Sequence, residues 1–256
     1  MYFKRSDLKN LISLILITYS VRINFYKTYY AHQNMNSQKT TPLLLLLALL
    51  FSIGCSDSPT FRIFEKPIIF DEDRHELSLE YMRVRHGLDS AITPSIKPTM
   101  VVVHWTAVYT LEATYDIFNP PRLRGRQDIA GSSALNVSAH FLVDRDGTIF
   151  RLLPDTTFAR HVIGLNHTAI GIENIGGSEA PLTRAQLKAN EELIRYLNRR
   201  HEIEYVIGHH EYTRFRGSYL WKETDPNYLT EKSDPGDRFM KNLRFRLNDL
   251  NFKETP

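Results

Sequence analysis

Cysteine is nearly absent from this chain of 256 residues, which contains one, at position 55. A single thiol excludes an intrachain disulfide and any metal cage built from several cysteines. Internal repeats and low-complexity tracts are also lacking after residue 54. The hydrophobic fraction of 42% and the charged fraction of 24% are typical of a globular protein. The length allows one sizeable domain, or one domain preceded by a leader.

A strong net charge is lacking as well. The whole chain has 32 basic and 29 acidic residues, but the first 54 residues hold six of the bases and one of the acids. The remaining 26 basic and 28 acidic residues nearly cancel. Nucleic-acid binding proteins rely on clustered positive charge, so we expect no nucleic-acid partner.

Residues 1–54 have the pattern of a leader. Met35 begins a short cationic segment, the apolar run Leu43–Phe51 follows, and Gly54 directly precedes Cys55. The apolar run is shorter than the about 20 residues that a membrane-spanning helix needs, and it fits the core of a signal peptide. We therefore predict a lipoprotein signal that starts at Met35 and ends before the single cysteine.

Lipidation of Cys55 would attach the protein to a membrane. Ser56, rather than an aspartate, follows the cysteine, so we expect the cell envelope, at the outer membrane and facing the periplasm. Ser52 departs from the usual signal, which has an aliphatic residue at that place. An uncleaved anchor with an incidental buried cysteine is the alternative. We interpret residues 1–34, which contain a competing apolar run, as an over-extended gene start.

Residues 55–97 are interpreted as a tether and lead-in segment, with one or two helical turns between Glu76 and Arg85. Residues 98–250 are interpreted as the main domain. Short apolar runs alternate there with amphipathic segments, and an Asp-Gly turn at Asp144–Gly147 indicates a hairpin. This pattern predicts a single α/β domain with a mixed central β-sheet flanked by helices. The predicted strands are 99–105, 139–143, 148–152, 169–175 and 204–208, and the predicted helices are 111–118, 182–200 and 239–250.

Two histidines and an aspartate are the candidate metal ligands. His104 ends the apolar run 100–103, and His209 ends the run 205–208. Asp234 follows 25 residues after His209, which itself lies 105 residues after His104. Two imidazoles and a carboxylate leave one zinc coordination position open, as a hydrolytic site requires. The alternative for each histidine alone is an ordinary structural or exposed role.

Glu173 and Lys232 are the candidate catalytic residues. Glu173 lies in the apolar run 169–174, where a carboxylate is costly unless it is paired or used. A raised pKa would suit a general base. Lys232, two residues before Asp234, could stabilise an oxyanion. The alternatives are a salt-bridged glutamate at the end of a strand and an exposed loop lysine.

The order of these segments resembles the zinc-dependent N-acetylmuramoyl-L-alanine amidases, the type shared by the bacteriophage lysozyme amidase, the anhydro-muropeptide amidases and the peptidoglycan recognition proteins. The resemblance covers roughly residues 98–240. Six ordered motifs carry it, namely those at 102–107, 138–147, 159–161, 170–173, 208–209 and 232–236.

This resemblance implies an N-acetylmuramoyl-L-alanine amidase-like fold and one zinc per chain, held by His104, His209 and Asp234. It implies Glu173 and Lys232 as the catalytic pair and hydrolysis of the amide between N-acetylmuramic acid and L-alanine. Peptidoglycan or muropeptides would be the substrate, and we expect a monomer. We assign His161, Trp105 and Asn174 as substrate-binding residues. For Trp105, as for Trp221, core packing or loop anchoring is the alternative.

Three features depart from the family pattern. The segment between the last two ligands is long and contains a second candidate, Asp225, but only Asp234 has the Lys-x-Asp-Pro-Gly spacing. His210 adjoins His209, and neighbouring residues of a strand point to opposite sides, so only one can be a ligand. Arg160 stands where an aromatic residue is common, which predicts a more polar pocket wall.

Two other functions remain open at this stage. One is a non-catalytic peptidoglycan-binding module on the same fold, and the other is a zinc hydrolase that acts on a different amide. The sequence also leaves open whether intact murein or anhydro-muropeptides are the substrate. It does not decide whether residues 212–231 form a lid or a wall.

Overall fold

The computed structural model describes residues 62–126, 129 and 131–256, which belong to one compact unit. The predicted leader, including Met35, and Cys55 lie outside the described residues, so the lipoprotein signal stays a prediction. Within the described part of the chain, no helix has the length and apolar character needed to cross a membrane.

A six-stranded mixed sheet forms the centre of this unit, which confirms the predicted α/β class. Four of its five neighbouring pairs are parallel, and one is an antiparallel hairpin closed by the predicted turn at Asp144–Gly147. The strands are β1 (Ile63–Glu65), β2 (Met100–Trp105), β3 (Phe141–Val143), β4 (Ile149–Arg151), β5 (Ala169–Asn174) and β6 (Tyr205–Gly208). Across the sheet they are ordered β1-β4-β3-β5-β2-β6.

The fully described α-helices beside the sheet are α1 (Glu72–His86), α2 (Leu111–Phe118), α3 (Arg184–Arg200) and α4 (Asp237–Arg246). Two 3-10 turns, His209–Phe215 and Asn248–Leu250, follow β6 and α4. A capping box starts α3, because the Thr183 hydroxyl accepts from the Gln186 backbone and the Gln186 side chain accepts from the Thr183 backbone.

The two faces of the sheet are covered differently. Val101, Val103 and Ile170 face α3 and α4 and join their apolar side chains in the largest cluster of the core. Because successive strand residues point to opposite faces, Val102 and His104 point the other way. Loops and the turn after β6 cover that second face and leave a pocket at the carboxyl ends of the strands.

The segment 62–97 packs as part of the same unit rather than standing before it. β1 pairs in parallel with β4, and α1 is a full helix of 15 residues where the sequence indicated one or two turns. The Arg74 guanidinium, which is buried, donates to the backbone oxygens of residues 118–120 at the end of α2. Tyr81 and Met82 of α1 pack on Phe158, so this segment supplies one side of the pocket region.

Candidate metal centre

Parallel strands bring the two candidate histidine ligands to one edge of the sheet. Val103 of β2 pairs with Gly208 of β6, and this is the last pair between the two strands. His104 and His209 are the residues that follow, so they lie side by side where this pairing ends. Asp234 reaches them from the loop before α4. All three side chains are at least 90% buried, with exposed fractions of 1%, 6% and 7%.

The three candidate ligand atoms form a small triangle. Nδ1 of His104 is 2.9 Å from Nδ1 of His209, and Oδ2 of Asp234 is 3.1 Å from the second and 3.3 Å from the first. Zinc–ligand distances of about 2.0–2.1 Å in a tetrahedron require separations of roughly 3.3 Å between ligand atoms. Two imidazole nitrogens and one carboxylate oxygen therefore have the chemistry and the spacing of a zinc site.

Electrostatics keep Asp234 and His209 in the protonation states that a metal needs. Burial raises the pKa of Asp234, but the neighbouring His209 and His104 outweigh this effect and hold that pKa well below its usual range. Burial and the neighbouring His104 lower the pKa of His209 to about 4. At neutral pH the site therefore combines a carboxylate with an unprotonated imidazole, as metal binding requires.

Glu173 lies beside this triangle. It pairs in register with His104 across β2 and β5, and its Oε1 is 4.0 Å from His104 Nδ1. Burial raises its pKa well above the ordinary value, the charge of Asp234 raises it further, and Lys232 opposes both. Its Oε2 is buried and has no hydrogen-bond partner among the described residues. A carboxylate oxygen left unsatisfied beside three candidate ligands is what a bound cation or substrate would resolve.

Lys232 lines the same pocket, two residues before Asp234. Its positive charge opposes the rise in the pKa of Glu173 that burial and Asp234 cause, and it adds to the lowering of the pKa of His209 that burial and His104 cause. Both predicted catalytic residues therefore face the predicted ligands.

The three predicted substrate-binding residues differ in placement. Trp105 is partly exposed and forms part of the pocket lining. His161 also lines the pocket, but its Nδ1 lies 3.1 Å from Nε2 of His104, so it contacts a candidate ligand directly. Asn174 is fully buried and donates to the backbone oxygen of His104, on the side of α3 where it bonds Asn190. Asn174 is therefore held by β2 and α3 and is not part of the pocket lining, and its assignment as a substrate-binding residue stays a prediction.

His210 and Asp225, the two alternative candidates for metal ligands, lie apart from the triangle. The His210 backbone N–H and its ring Nδ1 both approach the backbone oxygen of Asp234, at 3.0 and 2.9 Å. Its side chain therefore supports the Asp234 loop from behind. Asp225 is half exposed and lies 3.9 Å from Arg85 of α1.

Arg160 was expected to make the pocket wall more polar. In the structure its guanidinium forms hydrogen bonds within the protein. The guanidinium donates to backbone oxygens of Ile129, Ser133 and Leu135 and to hydroxyls of Ser132 and Tyr228. Arg160 therefore fastens two loops together beneath the pocket, a role that no sequence pattern indicated.

The pocket has a volume of about 440 Å³. Its lining includes the triangle with Glu173 and Lys232 and also several apolar side chains. Apolar residues of the lining outside the triangle include Tyr81, Val108, Ile117, Phe118, Ile129 and Val137.

Comparisons with known proteins identify one family model and several similar proteins. A family model described as N-acetylmuramoyl-L-alanine amidase matches residues 94–237, more than half of the chain. The endolysins of Escherichia phage T7 and Klebsiella phage KP32 are each 31% identical over 83 residues, which are 30% of this chain. The chain spans about half, 55%, of the length of these curated relatives.

A solved structure titled endolysine N-acetylmuramoyl-L-alanine amidase LysCS, from Clostridium intestinale URNW, is similar in outline. It has 19% sequence identity and a TM-score of 0.45, and the match covers 73% of this chain and 95% of that one.

Proposed function

The chain belongs to the N-acetylmuramoyl-L-alanine amidase family, and from this premise we propose that it is a zinc-dependent peptidoglycan amidase. The bond hydrolysed is the amide between N-acetylmuramic acid and L-alanine of the stem peptide. The observation that carries this proposal is the buried triangle of His104, His209 and Asp234 beside the unsatisfied carboxylate of Glu173.

One zinc ion would be held by the two Nδ1 atoms and by Oδ2 of Asp234. When bound in such a site, zinc polarises a carbonyl group and lowers the pKa of a water molecule. The remaining steps fall to the side chains of this chain.

Glu173 acts as the general base. Its carboxylate stands at the edge of the triangle, so a water molecule that attacks the amide from there lies within its reach. The low-polarity surroundings that raise its pKa make the ionised form a stronger base. The same carboxyl group can then pass the proton to the leaving amine of L-alanine.

Lys232 acts on the charge that develops during the attack. When water adds to the amide carbonyl, negative charge appears on the carbonyl oxygen. A fixed ammonium group in the same pocket stabilises this charge more in the transition state than in the substrate. Lys232 therefore lowers the barrier without needing to lose its own proton.

Trp105 and the apolar side chains of the pocket lining give the substrate its position. Trp105 lies between the pocket and a neighbouring groove, where a sugar ring can stack on the indole. The stem peptide would then extend along the pocket toward Tyr228, on the wall formed by the loop before Asp234. We expect one chain to be sufficient for activity.

A second part of the proposal concerns location. Translation would start at Met35, residues 35–54 would be removed as the signal, and Cys55 would carry lipid, so that the domain faces peptidoglycan from the outer membrane. Labelled fatty acid should then enter the wild type and not Cys55→Ser. An unlabelled wild-type protein, soluble in the periplasm, would contradict this part alone.

The activity itself is tested by digestion of purified peptidoglycan and of isolated muropeptides. The expected products are stem peptides with a free amino group on L-alanine, formed by the zinc-loaded protein and lost after chelation. Protein that binds both substrates without releasing peptide would indicate a binding module. Cleavage at a different amide would indicate another hydrolase, and the faster substrate would distinguish murein from its fragments.

A further inference from the structure

His161 lies in the pocket, and both nitrogens of its ring are within hydrogen-bonding distance of other atoms of the protein. Its Nδ1 is 3.1 Å from Nε2 of His104, and its Nε2 is 3.1 Å from the backbone oxygen of Ala169. The side chain of Asn166 accepts from the backbone N–H groups of residues 161 and 162, at 2.9 and 2.8 Å. A side chain bound in this way is poorly suited to move with a substrate.

Gly171 leaves the space that this ring occupies. A Cβ atom at position 171 would lie 2.8 Å from Cγ of the His161 ring, closer than packed atoms approach. The backbone N–H of Gly171 also donates to Nδ1 of His140, at 2.9 Å. The strand therefore presents a flat surface against which the His161 ring rests.

The hydrogen-bond partners determine which ring nitrogen carries the proton, first in His161 and then in His104. A carbonyl oxygen only accepts, so Nε2 of His161 must carry the proton that it donates to Ala169. In the neutral ring Nδ1 of His161 then has a free lone pair and accepts. Its partner, Nε2 of His104, must therefore carry a proton, which leaves Nδ1 of His104 bare. That bare nitrogen is the atom that faces His209 and Asp234.

We infer that His161 is a positioning residue that holds His104 in the single tautomer able to bind metal through Nδ1. The inference rests on the proposed zinc site and adds a residue to it. In the other tautomer of His104 the Nδ1 proton would point into the triangle and block the metal. His161 thus acts through His104, and its contribution is to metal affinity rather than to substrate binding.

Two substitutions at position 161 separate the hydrogen bond from the volume of the ring. His161→Phe keeps a ring against Gly171 but removes the acceptor for His104. His161→Asn places an amide oxygen near the position of Nδ1 and can still accept. Outer hydrogen-bond partners of this kind typically change metal affinity by about 10–100-fold. We expect a loss in this range for His161→Phe and recovery of most of it for His161→Asn.

The experiment measures the zinc dissociation constant by competition with a chelator, on the full chain and without any activity assay. His201→Phe is the matched control, because His201 bonds Asp155 outside the pocket lining. The control should bind zinc as the wild type does. Equal zinc affinity of His161→Phe and the wild type would overturn the inference.

A second readout does not depend on the variants. Nitrogen NMR of the metal-free wild type, with labelled histidine, should show the proton of His104 on Nε2. A proton on Nδ1 would overturn the inference even if His161→Phe failed to fold. If the wild type bound no zinc, the proposed function would fail, while the tautomer of His104 would still decide the role of His161.

Discussion

The residues around the triangle come from two parts of the chain that are built in different ways. One part, the strand half, consists of His104, Glu173 and His209, which lie in or directly after β2, β5 and β6 and are placed by the parallel ladders. The other half is the loop wall, by which we mean residues 221–234, and it contains no strand or helix. The strand half is positioned by backbone pairing that many sequences could form, whereas the loop wall depends on individual side chains.

Contacts from distant segments hold the loop wall in place. Arg85 of α1 forms an ion pair with Glu223 at 2.8 Å and lies 4.5 Å from the ring centroid of Tyr228. The backbone oxygen of Thr230 accepts from the hydroxyl of Tyr212 at 2.7 Å. This segment is therefore a fastened wall of the pocket, which answers the question that the sequence left open about residues 212–231.

The largest effect should come from the one ligand that the loop wall supplies. Asp234→Ala removes a carboxylate from the triangle, so we expect zinc to be lost and amidase activity to fall to background. Asp225→Ala, in the other Asp-Pro pair of the same wall, should keep both, because Asp225 lies near Arg85. Metal analysis and peptide release check the two variants together. Reversed results would move the third ligand to Asp225.

The next largest effect should be on turnover, with no loss of zinc, and it concerns Glu173 of the strand half. Glu173→Gln keeps the shape of the side chain but cannot accept the proton, so kcat should fall by roughly 10²–10⁴. Lys232→Ala, from the loop wall, should cost a comparable factor, about 10²–10³. Zinc content should stay at the wild-type level in both. High turnover by Glu173→Gln would mean that another group moves the proton.

Removing the ion pair between Arg85 and Glu223, which holds the loop wall, should have a smaller effect on turnover but a large effect on the free energy of unfolding. Arg85→Met leaves Glu223 buried without its partner, and breaking a buried pair in this way costs about 3–5 kcal/mol. The double variant Arg85→Met with Glu223→Leu should recover much of this loss, since no charge remains buried. Urea unfolding of the three proteins measures it. A single variant as stable as the wild type would show that the wall holds without this pair.

His210→Ala should have the smallest effect. It removes the ring that supports the backbone of Asp234, but the backbone N–H of residue 210 still donates to the same oxygen. One zinc per chain should remain, bound somewhat more weakly, whereas His209→Ala should bind none. Metal analysis of the two alanine variants compares these adjacent histidines. An empty His210→Ala beside a loaded His209→Ala would reverse the ligand assignment.

The same division explains what the sequence could predict. Apolar runs ending in a functional residue revealed β2, β5 and β6, and with them the approach of His104, Glu173 and His209. A short continuous apolar run predicts such strands because a strand that is buried on both faces of the sheet needs no polar alternation. Asp234 was identified by its spacing from Lys232, and the structure places it beside the two histidines.

Contacts between distant segments were not visible in the sequence. The segment 62–97 was set apart because its apolar patches are short, yet β1 and α1 complete the sheet and fasten the loop wall. The placement of Asn174 beside α3 was not visible in the sequence either, because its strand position indicates a face only after the register with β2 is known. The role of His161 depends on a bond to His104, 57 residues away. Such pairs require coordinates, since neither residue carries a local signal for the other.

The most direct test of this account is to locate the metal in crystals of the zinc-loaded protein, using anomalous scattering at the zinc edge. One strong peak per chain is expected within the triangle of His104, His209 and Asp234, bonded to two imidazole nitrogens and a carboxylate oxygen. The other group of candidate ligands in the described residues is an exposed set on α1, Glu72, His75 and Glu76. A peak there, or an empty triangle in active protein, would contradict the account.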